Sequence, residues 1–180
     1  MDVASPVGKV DTFLIKLNDA LEKADIEALK GLFAPDCSWR DLVAFTWNIK
    51  TMEGRDAIGE MAASVLDNVH PRNWQIEGEA TEAGGVTEAW VTFETDAVRG
   101  KGHVRLNDEG CWTLRTTAQE LIGYEEHKGR TRDPGVVHGA DPNRETWKER
   151  REREAAELGY KTQPYVVIIG GGQGGIGLGA

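Results

Sequence analysis

The sequence predicts an α+β domain, with helices packed on a curved antiparallel sheet. Two observations carry that expectation. Apolar residues recur at helical spacing through the first third of the chain, and the period changes to two from Trp74 onward. Glycine-rich turns punctuate the alternating stretch, as in a meander of short strands. Helices gathered ahead of such a sheet belong on one of its faces.

The first helix is expected over Val10–Ala24. Phe13, Leu14, Leu17 and Leu21 form its apolar stripe, and Asp11 serves as a cap or a first-turn acid. Asp25 reads as the N-cap of a second helix, Ile26 to Phe33, which Ala34-Pro35-Asp36 ends because proline removes a donor. Cys37 to Lys50 reads as a strand interrupted near Phe45. Asp56 to Leu66 reads as a third helix, with Ile58, Met61, Ala62 and Val65 on one side. Strands follow from Trp74 to Ala80, Val86 to Val98, His103 to Leu106 and Cys111 to Leu121. Turns are expected at Ala83-Gly84-Gly85, Arg99-Gly100-Lys101-Gly102 and Asn107-Asp108-Glu109-Gly110.

The paired N-terminal helices, the segment from Phe33 to Asp41 and the segment Glu53-Gly54-Arg55-Asp56-Ala57-Ile58 resemble the nuclear-transport-factor-2-like (SnoaL-like) cone fold. The resemblance covers about residues 8–125, so a cone domain is expected over 1–125. Residues 126–164 are expected to form a linker with a charged helix, Asn143 to Leu158, capped by Asp141 or Asn143 and ended by Gly159.

Residues 165–180 carry a different signal. Tyr165-Val166-Val167-Ile168-Ile169 is a continuous apolar run suited to a strand buried on both faces. The next residues match G-x-G-x-x-G at Gly170, Gly172 and Gly175. Gly170 allows a tight turn, Gly172 lets backbone approach a pyrophosphate, and Gly175 lets the following helix pack closely on the strand. This reads as the first strand and glycine turn of a Rossmann-type domain, although a lone strand cannot bury both faces, so in this chain it is expected to dock on a neighbour, pair between chains or remain a loosely packed or disordered tail. The helix is barely begun at Ala180, and the acid expected about twenty residues further on is absent. The stretch from Asn143 to Ala180 resembles the junction in flavin-containing monooxygenase-like oxidoreductases, some of which carry a cone domain ahead of their FAD-binding domain. Thr146 to Arg151 resembles their connector helix. That resemblance implies FAD and NADP(H) in the full-length family, a small-molecule substrate, and a fragment that is inactive by itself.

Composition narrows the classes. The formal net charge is -9, which argues against phosphate-backbone binding, and the basic run Lys148–Arg153 is interleaved with glutamates. No apolar run approaches a membrane span, and Met1–Ser5 has no basic n-region, so a cytoplasmic protein without membrane or nucleic-acid partners is expected. Cys37 and Cys111 have no second Cys or His at ligand spacing, so no metal site is expected and both read as reduced thiols.

Within the cone, Trp39, Trp47, Trp90 and Trp112 are the candidate pocket walls, alongside Asp41, His70 and His103. Asp41 with His70 is the weak catalytic candidate, because a carboxylate and an imidazole meeting in a pocket can do acid–base work. Against it, Asp41 can cap or pair with Arg40 or Arg55, and His70 precedes Pro71 in a loop. Three functions follow: the N-terminal portion of a flavin-dependent monooxygenase, a non-catalytic binding or dimerisation module that pairs through its sheet, and a small SnoaL-type isomerase or cyclase.

Overall fold

The computed structural model describes residues 5–132, 134–135, 139, 144–164 and 166–179. The chain divides into two compact units, Met1–Arg132 and Asp133–Ala180.

In the first unit, helix α1 is Pro6–Glu22. It starts earlier than Val10 because Ser5 is its N-cap, accepting from the Gly8 amide at 3.1 Å, and proline occupies the first helical position. Asp11 therefore lies inside the helix. Asp25 caps α2, Ile26–Gly31, as expected, accepting from Ala28 N at 2.9 Å. The helix stops at Gly31, and strand β1 already runs over Phe33–Leu42. Pro35 thus ends no helix. It sits inside a strand, where the register against the neighbouring strand shifts between Phe33 and Ser38. Such an irregularity is where a residue without an N–H is tolerated.

The expected single strand over Cys37–Lys50 is two strands. β1 turns back at residues 43–48 and pairs antiparallel with β2, Ile49–Glu53. Helix α3 follows over Gly54–Val69, longer at both ends than Asp56–Leu66. Then come β3 (Arg72–Ala83), β4 (Val86–Glu94), β5 (Val98–Asn107) and β6 (Gly110–Leu121).

The sheet order is β2-β1-β6-β5-β4-β3. The meander β3 to β6 is antiparallel, but β1 lies parallel to β6. The sheet is therefore mixed, not antiparallel as expected. Sequence alternation fixes which face a residue occupies, but not which distant strand becomes the neighbour. Helix α1 packs on β3 and β4, and α3 on β1 and β2. Val10, Leu17, Leu29, Ile58, Val91, Val104 and Leu114 lie in the core between these layers.

Arg99–Gly102 is not a turn. These residues lie within β5, and the reversal falls at Thr95–Ala97, where the Thr95 hydroxyl accepts from the Ala97 and Val98 amides at 3.2 and 3.0 Å. The glycines have a packing reason instead. A Cβ on Gly100 would run into the Phe93 ring, and one on Gly102 would sit 2.9 Å from the Arg115 carbonyl oxygen. Glycine within a strand marks such close approach.

In the second unit, helix α4 is Trp147–Glu157. Its cap is Thr146, in a reciprocal capping box with Glu149. The expected caps Asp141 and Asn143 lie outside the described residues. Gly159, at φ 80°, follows the helix end. Of the expected strand over Tyr165–Ile169, Tyr165 lies outside the described residues, and residues 166–169 make no ladder among the described residues. Ile169 is 96% exposed. An apolar run becomes a strand only when a neighbour takes its backbone hydrogen bonds, and no strand of this unit is found among the described residues to do so. Helix α5, Gln173–Gly179, follows the glycine turn. Among the described residues, no helix is long and apolar enough to cross a membrane.

Candidate functional site

The interior of the cone is built outward from β1. Strand alternation turns Trp39 and Asp41 inward, and the parallel register sets Asp41 beside Thr116 of β6. A chain of hydrogen bonds follows. Trp39 Nε1 donates to Thr116 Oγ1 at 2.9 Å, and Thr116 Oγ1 donates to Asp41 Oδ1 at 2.8 Å. The other oxygen, Oδ2, accepts from Phe45 N at 3.0 Å, Thr46 N at 2.8 Å and Thr46 Oγ1 at 2.8 Å.

Asp41 is thus a buried carboxylate with both oxygens engaged, as a buried charge requires. The donors to Oδ2 belong to the turn that joins β1 to β2. That turn contains two non-glycine residues at positive φ, Val43 at 70° and Trp47 at 52°. Such conformations cost roughly 1–3 kcal/mol each. Hydrogen bonds to a charged acceptor are strong enough to offset that strain. The work of Asp41 is to fold this turn.

Aromatic rings fill the space around it. Phe33 stacks on Trp39 with centroids 6.0 Å apart, and Trp39 meets Phe45 edge-on at 5.0 Å. Phe45 reaches Phe93 at 5.6 Å, and Trp74 stacks on Phe93 at 4.5 Å. Gly100 and Gly102 make room for the last two rings. All five rings are buried.

The candidate residues therefore do not gather into one pocket. Trp39 is core. Trp47 is 60% exposed in the β1–β2 turn. Trp90 lies on the outer face of the sheet, opposite His103 in register, with ring centroids 4.7 Å apart. Trp112 shares Leu114's parity and would be expected inside. A register shift pairs Arg105 with Thr113 and Leu106 with Cys111, leaving Trp112 as the extra residue of a bulge. It faces outward, under the Arg105 guanidinium at 4.5 Å.

His70 does not meet Asp41. It caps the C-terminus of α3 in the left-handed region, and its Nδ1 lies 2.6 Å from Asp96 Oδ2. Arg72 Nη1 donates to Asp96 Oδ1 at 2.7 Å and to the His70 carbonyl at 3.2 Å. The hydrogen bond from His70, then that from Arg72, holds the Asp96 carboxyl below the usual range. This cluster is at the surface, beside a cleft of about 320 Å3 lined by Leu21, Ala24, Leu66 and Pro71. Sequence reading missed Asp96, Thr116 and Thr46 as partners, since only strand register and the chain reversals bring them to His70 and Asp41.

Another cleft lies between α1 and the β5–β6 turn. It measures about 410 Å3, with Phe13, Leu106 and Cys111 at its floor and Lys9 and Lys16 at its lip. None of the four candidate tryptophans lines either cleft. Burial pushes the Cys111 thiol well up, with Cys37 adding to the effect, and both cysteines are free. Among the described residues no group of three His, Cys, Asp or Glu could hold a metal ion.

In the second unit the glycine turn has its own geometry. Gly170 adopts φ 109°, open to glycine alone, and a Cβ on Gly175 would collide with the Gly170 carbonyl oxygen. Gly172 has open space where its Cβ would be.

Comparison with known proteins bears on the first unit. The model of the SnoaL-like domain family matches residues 14–123. Among solved structures, the chain is similar to a domain of unknown function with a cystatin-like fold from Nostoc punctiforme, with a TM-score of 0.52 and 13% identity over 64% of this chain and 78% of that one. It is also similar to a ketosteroid isomerase-like protein from Erwinia carotovora atroseptica, with a TM-score of 0.51 and 13% identity over 64% of this chain and 97% of that one. No curated protein matches. At such identities the likeness is one of fold: an α+β cone with a curved mixed sheet. The chain belongs to the SnoaL-like domain family.

Proposed function

We propose that the cone is a non-catalytic accessory module, set ahead of the nucleotide-binding start of a flavin-dependent oxygenating oxidoreductase in the cytoplasm. One observation carries the non-catalytic reading: the buried acid, Asp41, has both oxygens committed to the turn and to Thr116, in an interior filled by five rings. A general base needs room for a substrate beside it, and this carboxylate is fully buried, with Oδ2 accepting three hydrogen bonds from the turn and Oδ1 one from Thr116. The isomerase or cyclase reading loses its Asp–His couple, because His70 is engaged with Asp96.

The flavin reading rests on the resemblance of the second unit and on the fit of its turn. Gly170, Gly172 and Gly175 would border the pyrophosphate of FAD, and the crowding at Gly175 is the kind only a glycine accepts. FAD, when bound and reduced by NADPH, supplies the oxygen chemistry. In the full-length protein Gly170, Gly172 and Gly175 would help to hold and orient it, while this stretch by itself holds too little of the site to bind it.

Two measurements test these readings. The coding sequence read past Ala180 is expected to continue into helix and strand, with an acid about twenty residues beyond the glycine turn; a frame that closes at that point removes the flavin reading. In the flavoprotein so defined, Asp41→Asn is expected to lower the melting temperature while leaving NADPH-driven bleaching of the flavin band unchanged per folded molecule. Lost turnover at an unchanged melting temperature would return Asp41 to catalysis.

A further inference from the structure

The strand registers place one lateral row across the outer face of the sheet: Thr51, Arg40, Arg115, His103, Trp90 and Glu77, from β2 through β1, β6, β5 and β4 to β3. Arg40 and Arg115 are direct neighbours in it. Like charges side by side on a sheet repel. Among the described residues neither has a carboxylate partner. Arg40 donates to the Thr51 hydroxyl at 3.0 Å, and the Arg115 guanidinium lies 5.0 Å from the Trp90 ring centroid. Lys101 lies over the same ring at 4.9 Å, and Arg105 covers Trp112.

Two acids answer these cations from within the patch: Glu77 pairs with Lys101, and Glu88 with Arg105 at 3.3 Å. Arg40 and Arg115 are left over. Within this patch the cations thus outnumber the acids, in a chain whose net charge is -9. Trp90, 40% exposed, lies among these cations. Stacking on its ring orders the Arg115 guanidinium while leaving its N–H edge free to donate.

We infer that this face docks an acidic polypeptide segment, with carboxylates on Arg40 and Arg115 and an apolar side chain against Trp90. The dimensions favour a chain over a small anion. Adjacent strands are about 4.8 Å apart, so Arg40 and Trp90 are roughly 14 Å apart across three spacings. Separate carboxylates are favoured over a nucleic acid, because Glu77 and Glu88 interrupt the patch and leave no continuous row of cations to follow a phosphate backbone. Arginine and tryptophan are the residue types that dominate the centres of such interfaces.

The test uses the full chain and a short glutamate peptide with one central phenylalanine, followed by calorimetry and tryptophan emission. The expected result is binding that weakens with salt, with an emission change lost in Trp90→Phe. Arg40→Glu with Arg115→Glu is expected to weaken binding roughly tenfold or more, since the reversed charges repel the carboxylates they face. Both arginines are exposed, so the double variant folds, and Lys23→Glu at the end of α1 serves as the control that leaves binding unchanged. Equal binding by the double variant overturns the proposal, as does equal binding of the same peptide with glutamine for glutamate. Tighter binding of a single-stranded oligonucleotide overturns it in favour of nucleic acid. Sedimentation as a dimer that excludes the peptide, and that Arg115→Glu dissolves, overturns it in favour of a second copy.

Discussion

The two units of this chain obey the same local rules and reach different ends. In residues 5–132, capped helices and alternating strands close over a shared core, and the largest side chains of that core are fully buried. In residues 144–164 and 166–179, the capping box, the helix-ending glycine and the glycine turn are all well formed, yet no residue of α4 or α5 is buried. Ile169, 96% exposed, forgoes the roughly 1.5–3 kcal/mol that burial of such a side chain contributes. Local signals can shape a segment without a core, but they do not stabilise it against the entropy of the chain.

That contrast can be broken most strongly at Asp41. Asp41→Ala is expected to destabilise the cone by about 3–5 kcal/mol, because it strands the buried Phe45 amide and Thr116 hydroxyl, removes the acceptor of the part-buried Thr46 amide and releases the strained turn. Thermal unfolding measures it, and a loss below about 1 kcal/mol would mean the turn does not depend on this carboxylate.

Gly100→Ala comes next. Its methyl meets the Phe93 ring, 2.6 Å from Cε2, so overpacking is expected to cost about 1–3 kcal/mol. Gly31→Ala, where the Cβ meets nothing, serves as the control for the same chemical change.

In the second unit, Thr146→Ala is expected to cost α4 about 1 kcal/mol through loss of its capping box. Far-ultraviolet circular dichroism would record a loss of helix while the melting of the cone stays put. A shift of the cone's melting temperature would show that the units are energetically coupled. Ile169→Asp is the smaller perturbation, expected to move cone stability by less than about 0.5 kcal/mol.

The gentlest test is by pH. Burial, and then the nearby cations Arg115 and Arg105, lower the pKa of His103 below its ordinary 6.5, with Glu88 acting in the opposite sense. The unfolded chain then takes up the proton first as pH falls. Stability from this residue is full above 6.5 and is lost on descending toward the lowered folded value. His103→Gln is expected to flatten the fall of melting temperature in that window, and an identical slope in both proteins would count against it.

Much of the cone is legible in its residues. Asp25 before an apolar stripe specifies a cap, and the alternation of Ala89, Val91 and Phe93 with Trp90 and Thr92 specifies which face is inside. The glycines misled where their reason was packing: Gly100 and Gly102 read as a turn, although what they accommodate is a ring and a carbonyl from elsewhere in the fold. Trp112 misled because a bulge reverses parity, and a bulge belongs to the pair of strands rather than to one of them.

The sequence by itself determined the class of fold, the cap at Asp25 and the faces of the regular strands, because each depends on residues a few positions apart. Only the tertiary structure decided that β1 lies parallel to β6. With that pairing came the bonding of Asp41 to Thr116, the filling of the cone by five rings and the adjacency of Arg40 and Arg115. The physical reason is one of range. Period and capping act within a turn or a strand, whereas register is set by burial summed over the whole sheet, and it brings together residues such as Asp41 and Thr116 that are 75 positions apart.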